Sequence, residues 1–322
     1  MSDALAAPGR TGQPSAEARA TAVAAAIAQA AVDQADHAMR NWTDPEPGPV
    51  RIGSPQHLRM FCNMLLQTHN PYKPAVIDWP RLDPEARQRV TSLPIWDIAV
   101  QTEGRASVRV QSFADTVADP LLRSALEMDG GEEARHKVVL SKLVEAYGIA
   151  LAPEPEYRPP DDLEWGWLVT GYSECIDSFF AFGLFAAARR SGFFPAELVE
   201  TFEPVIQEEG RHILFFVNWA AWYRRNLPWW RRPLYALKVM RVWLFLVWER
   251  IGIARGIDAD GAAQDANFAM TGSEALGSTL SARGMIDLCL AENERRMAGY
   301  DPRLLRPETV PRLARFARRL LR

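Results

Sequence analysis

The chain has little sulfur and little histidine. It carries 3 cysteines in 322 residues, Cys62, Cys175 and Cys289, and no Cys-x-x-Cys pair. That excludes a rubredoxin-type, zinc-finger or iron–sulfur centre built on cysteine, and it points to a reducing compartment. It has 5 histidines, His37, His57, His69, His136 and His212, too few for a histidine-rich metal site. Long apolar runs are also missing. The most apolar stretch, residues 242–248, is closed by Arg241 and Glu249, well short of the roughly 20 residues that a membrane-spanning helix needs. The Ala-rich stretch over 20–32 lacks the basic start of a secretory leader. The cytoplasm is therefore the expected location. No flavin, haem or nicotinamide fingerprint is present.

Carboxylate is what the chain has in quantity. Asp and Glu number 40 against 37 Lys and Arg, and 48% of the residues are hydrophobic, enough to bury a core without disulfides. The net charge of −3 conceals a division: residues 1–226 carry −9 and residues 227–322 carry +6. The overall acidity argues against nucleic acid as a partner.

Helical periodicity and its punctuation divide the chain. Residues 1–17, rich in Gly, Pro, Ser and Ala, read as a disordered tail. Residues 18–93 read as an N-terminal helical wrap, with an Ala-rich helix over 18–40 and a short one over 56–68. Residues 94–226 hold four long helical patterns: from Pro94 to about Ala118, from Pro120 to Tyr147, from about Asp161 to Ser191, and from Pro195 to just before Pro228. Residues 227–322 read as further helices over 235–256, 279–297 and 307–322, rich in Trp and Arg and packed on the bundle. The expected fold is all-α: a four-helix bundle with additional N-terminal and C-terminal helices.

Two segments of the bundle match each other: Glu132-Glu133-Ala134-Arg135-His136 and Glu208-Glu209-Gly210-Arg211-His212. Within each, Glu and His stand three apart, on one helix face and one turn from each other, so one carboxylate and one imidazole can grip the same ion. Composition alone predicts about 0.3 Glu-x-x-His matches in the chain. Two, sharing three further identities, call for a cause. A two-metal site needs one carboxylate more from each of the other helices, and Glu103 and Glu174 stand near their centres. Counting residues through the turns at a helical rise brings Glu103 level with Glu133 to within roughly 4 Å, and Glu174 level with Glu209 to within roughly 7 Å. Asp97 and Asp115 lie far from that level. The set Glu103, Glu133, His136, Glu174, Glu209 and His212 suits two iron ions, or manganese with iron. Glu133 and Glu209 are the natural bridges.

These residues resemble the ferritin-like di-iron carboxylate superfamily, in which two helices give one Glu each and two give Glu-x-x-His. The doubled motif is similar to that of bacterial multicomponent monooxygenase hydroxylases. The resemblance covers about 94–226. It implies that Glu132 and Glu208 hydrogen-bond and orient the imidazoles, with Arg135 and Arg211 as candidate partners of those acids. It also implies an O2-dependent di-iron monooxygenase or oxidase that hydroxylates, N-oxygenates, desaturates or cleaves a small organic substrate. Its electrons would come from a partner such as a ferredoxin with its reductase, or from the substrate. The alternative is ferritin- or rubrerythrin-like iron oxidation or peroxide removal, although the cysteine-bound iron of rubrerythrins is absent.

Several residues admit two readings. Ser107, Gly171 and Ser178 share helix faces with the ligands and leave space for a substrate or allow close helix packing. Gly210 fits close approach of a neighbouring helix or a local distortion. The segment from Trp222 to Arg232, with the arginine-rich tail over 303–322, reads as a peripheral membrane contact, a lid, or a buried aromatic cluster with a basic rim. A homodimer is compatible with the composition. His37, His57 and His69 are expected in loops or at the surface.

Overall fold

A computed structural model of the chain describes residues 16–72, 79–93, 95–254 and 281–321. Among them the chain is all-helical. The helices are α1 (Ala16–Arg40), α2 (Pro55–Gln67), α3 (Pro84–Thr91), α4 (Trp96–Ala114), α5 (Pro120–Tyr147), α6 (Leu163–Ser191), α7 (Ala196–Asn226), α8 (Arg232–Ala254), α9 (Ala282–Met297) and α10 (Thr309–Leu320). The described residues form no strand, only an isolated bridge between Trp42 and Tyr300. The tail expected over 1–17 lies outside the described residues, except for Ala16 and Glu17, which open α1. The same holds for the last two residues of the helix expected over 235–256 and the first two of that expected over 279–297. No helix described is long and apolar enough to cross a membrane.

Local chemistry sets the helix ends. The Asp119 side chain accepts the Leu122 N–H at 2.9 Å and Pro120 takes the first helical position, so α5 starts there. It stops at Gly148, whose φ of +68° is the left-handed cap that glycine adopts at least cost. Asp162 accepts from Trp165 N at 2.9 Å at the start of α6, and Gly192 at φ +66° ends it. One helix was not legible in advance. The sequence reading leaves 83–93 without regular structure, yet Asp83 accepts from Ala86 N at 2.7 Å, Pro84 follows, and Ala86 and Val90 are buried. At eight residues it is too short to show an apolar period.

The four long helices α4–α7 pack side by side: α4 against α5 and α6, and α7 against α6. The seam between α5 and α7 is covered by α2, which packs on both. The aromatic core fills one end of this group. Phe113 stacks on Trp167 at 5.7 Å, Trp167 meets Trp219 edge-on at 5.4 Å, and Trp219 stacks on Tyr223 at 5.0 Å. Rings of this size contribute most of the apolar area that a core buries. The outer helices are tied to each other across the sequence. Arg303 donates to the carbonyls of Asp44, Glu46 and Gly48, and α9 lies along α6 and α7. Its buried Arg296 pairs with Glu203 of α7 at 3.0 Å.

Glycines at two positions separate close packing from spare space. At Gly171 of α6 the ring of Phe216, itself fully buried, occupies the place of a β-carbon. At Gly210 of α7 a β-carbon would meet only Arg296 at 3.8 Å and Phe182 at 3.9 Å, ordinary contact, and the helix runs through it undistorted. Neither reason offered by the sequence for Gly210 applies. Gly171→Ala is expected to lower stability by about 1–3 kcal/mol through overpacking. Gly210→Ala is expected to raise it by up to about 1 kcal/mol through helix propensity. Urea unfolding of the two variants checks both signs.

Candidate metal centre

The doubled motif places Glu132, Glu133, Arg135 and His136 on α5 and Glu208, Glu209, Arg211 and His212 on α7. The two copies pair crosswise. Glu208 lies with one oxygen 2.8 Å from His136 Nε2 and accepts from Arg135 with the other at 2.7 Å. Glu132 lies 2.8 Å from His212 Nε2 and accepts from Arg211 Nη1 at 2.9 and 2.8 Å. Each acid thus binds the imidazole and the guanidinium of the opposite helix. Both acids and both histidines are almost fully buried.

With each Nε2 held by a carboxylate, each Nδ1 turns inward. His136 Nδ1 lies 3.2 Å from Glu209 and 3.8 Å from Glu103, and His212 Nδ1 lies 2.8 Å from Glu133. None of these approaches is aligned as a hydrogen bond. Glu133 Oε1, both Glu174 oxygens and the two Nδ1 atoms are buried without a hydrogen-bond partner, and so are both Asp129 oxygens. Buried polar atoms without partners are uncommon, and a concentration of them on opposed donors needs an explanation. The ligand-type atoms of Glu103, Glu133, His136 and Glu209 lie within 4.8 Å of one another, and so do those of Asp129, Glu133 and His212. Glu133 belongs to both groups. These buried Glu, His and Asp groups could hold a metal ion.

The structure brings five of the six ligand candidates into these two groups. The sixth, Glu174, stands outside both, although the charges of Glu133, Asp129, Glu209 and His212 act on it. Asp129 was missed. It lies one turn before Glu133 on the same face of α5, a spacing of four that the sequence displayed. Of the histidines expected in loops or at the surface, His69 does lie in the loop after α2, whereas His57 is buried within α2. His69 follows α2 with Nδ1 2.6 Å from Glu132. His57 is 1% exposed and has Nδ1 facing the Gly53 N–H, so its other nitrogen donates to Asn218 at 3.0 Å. Asp97 instead accepts from Ala152 N, away from the cluster. The small residues turn out to be spacers and props. Ser107 donates to the Gly130 carbonyl, and Ser178 donates to Glu209 at 3.1 Å. Cys175 is a buried free thiol.

Comparison of the chain with protein-family models, curated proteins and solved structures gives no match. The site is therefore read from its own chemistry.

That chemistry is a contest for protons. Burial is the main cause that raises the Glu133 carboxyl well above its ordinary range, with the charges of Glu103 and Glu209 adding to it. Burial, then Glu133 and Asp129, does the same to Glu174. Burial pushes Asp129 up to about 6, against the pull of His212. For the imidazoles burial acts downward, but the surrounding carboxylates override it and hold His136 and His212 well above their ordinary values. Glu132 and Glu209 move the other way, and for Glu209 burial is outweighed by the two imidazoles. Glu132 is shifted furthest. Burial pulls it up, yet Arg211, His212 and His69 keep it well below the usual carboxylate range. It is a fixed anion.

Two outcomes are expected. First, the metal-free fold keeps protons on Glu133, Glu174, His136 and His212 that the unfolded chain releases above the ordinary values of 4.5 and 6.5. Its stability then falls as pH rises through and beyond that window, while metal affinity rises, because the ion displaces those protons. Fe(II) or Co(II) titration in weakly buffered solution should release protons; binding that is independent of pH would contradict this. Second, Glu132→Ala strands a fully buried guanidinium and should cost about 3–5 kcal/mol in urea unfolding.

Proposed function

We propose that the chain is a ferritin-like non-haem di-iron protein that uses O2 to oxidise a small organic substrate. The observation that carries this reading is the set of buried, partnerless oxygen and nitrogen atoms from Asp129, Glu133, Glu174, His136 and His212 on three neighbouring long helices. A donor set of carboxylates with two imidazoles and no thiolate suits iron, or manganese with iron, over copper. In this reading Glu103, Glu133, His136, Glu174, Glu209 and His212 would hold two ions, and Asp129, grouped with Glu133 and His212, would be a further oxygen donor. The metal, when bound, supplies the redox chemistry with O2.

The residues of the chain do the rest. Glu132 and Glu208 fix the ring orientation of His212 and His136 and keep Nδ1 of each free to donate its lone pair. Arg211 holds Glu132 ionised and in place, and Arg135 holds Glu208 in position through its hydrogen bond. Ser178 orients Glu209. Glu103 and Glu209, 19% and 14% exposed at their side chains, form the side of the site nearest to solvent, whereas Glu133 and both histidines are closed off from water. Electrons would come from an external donor of the ferredoxin and reductase type.

The second reading, iron oxidation or peroxide removal without an organic substrate, has one observation in its favour. A cleft of about 450 Å³ lies among Phe113, Trp219, Trp222 and Tyr223, and a cavity of about 120 Å³ lies between Val100 and Val144. Neither of these two spaces is lined by a ligand candidate.

After iron-replete expression about two irons per chain are expected. Glu133→Ala and His212→Ala should reduce that to background with helicity largely retained by circular dichroism. No iron in the wild-type protein, or full iron in both variants, overturns the assignment. Loading far beyond two irons in Fe(II) and air would favour storage over oxygenation.

A further inference from the structure

We propose that α8 and α10 together form a docking face for an anionic lipid surface, independent of the metal centre. The sequence reading placed such a contact at Trp222–Arg232 and the C-terminal tail. The structure moves most of it. Trp222 and Tyr223 pack into the core, and Arg303 and Arg306 are spent on backbone carbonyls and Asp301. The exposed apolar surface lies on α8.

Trp230, in the turn that leads into α8, is 52% exposed, and on the helix Leu234, Leu237, Leu244, Trp248 and Ile251 are between 45% and 62% exposed. Their spacing of three, four and seven residues stacks them on one side of the helix. The opposite side, with Tyr235, Val242 and Leu246, is buried in the core. A helix that is apolar on both sides is normally covered on both, and an exposed apolar stripe of this length marks an interaction surface. α10 extends it: Val310 and Ala314 are buried in one cluster with Phe179 of α6 and Trp243 of α8, while Leu313, Phe316 and Leu320 are 59–69% exposed.

Charge decides the occupant. No acidic residue on α8 or α10 is exposed; the one acid of the two helices, Glu249, is half-buried beside Arg250 at 3.2 Å. The acids that border the face are each paired, Asp162 with Lys238, Asp177 with Arg250 and Glu308 with Arg312. Among the described residues Arg231, Arg241, Arg315 and Arg319 have no acidic partner. Arg231 and Arg241 instead lie over the Trp230 and Trp165 rings. Apolar side chains, tryptophans toward both ends of the stripe and unpaired arginines are what an interfacial helix presents to anionic headgroups. A second copy fits less well. In antiparallel pairing across a twofold axis, Arg241, close to the middle of α8, would meet its own copy with no exposed acid on either helix to offset it.

The test is co-sedimentation of the full chain with vesicles of phosphatidylcholine alone, or with about one-third phosphatidylglycerol. Binding to the anionic vesicles is expected, weak on the neutral ones and reduced as salt rises to about 0.5 M. Leu237→Gln with Leu244→Gln, and separately Arg315→Gln with Arg319→Gln, should each weaken it by about tenfold or more. These positions are exposed, so unchanged thermal unfolding keeps the comparison sound. Failure to bind anionic vesicles overturns the proposal. So does equal binding of all variants, or a stable dimer that the two leucine substitutions convert to monomer.

Discussion

The crossed pairing of two glutamates with the imidazole and guanidinium of the opposite helix governs the rest of this structure. Glu132 and Glu208 are each almost fully buried, and a carboxylate in that position is tolerable only when its charge and its lone pairs are answered. Arg211 answers Glu132 and is itself satisfied by the Thr68 hydroxyl at 2.7 Å and the Leu65 carbonyl at 2.5 Å. The end of α2 is therefore part of the ionic network, which is why that short helix lies over the α5–α7 seam. His69, just beyond it, adds a further contact to Glu132. Register between α5 and α7 follows: a slip of one residue would separate every pair at once.

Fixing the outer nitrogen of each imidazole leaves the inner one no choice of direction. The two Nδ1 atoms and the oxygens of Glu133, Glu174 and Asp129 then face one another without partners, and the charge of the carboxylates is balanced in the metal-free protein by protons on groups that would otherwise release them. A cation bound there would replace those protons with a more favourable arrangement, since each donor would gain a bond and like charges would be separated by an ion of opposite sign. Structural and chemical demands thus converge on the same few turns of helix.

Much of this was legible in the sequence. Breakers and caps such as Pro120, Gly148 and Gly192 act within a few residues, so helix limits could be read locally. The doubled motif was legible because two helical spacings repeat. What could not be read is what depends on the third dimension. α3 is too short to have a period. His57 looks like a loop or surface residue until α2 is laid against α7, and the loop residue His69 gains its contact with Glu132 only when α2 packs on α5. Asp129 carried a signal, the four-residue step to Glu133, but one carboxylate among 40 acidic residues acquires meaning only when its burial is known. Gly210 shows the reverse case, a residue in a motif for which the packing supplies no steric reason.

The central claim is that the inward-facing donors hold metal at the site between α5 and α7. Anomalous diffraction at the iron edge from crystals of the iron-loaded protein tests it directly. The account requires peaks beside His136 Nδ1 and His212 Nδ1, with Glu133 adjoining both. Iron bound elsewhere on the chain, or none at these positions in protein that contains iron, would contradict it.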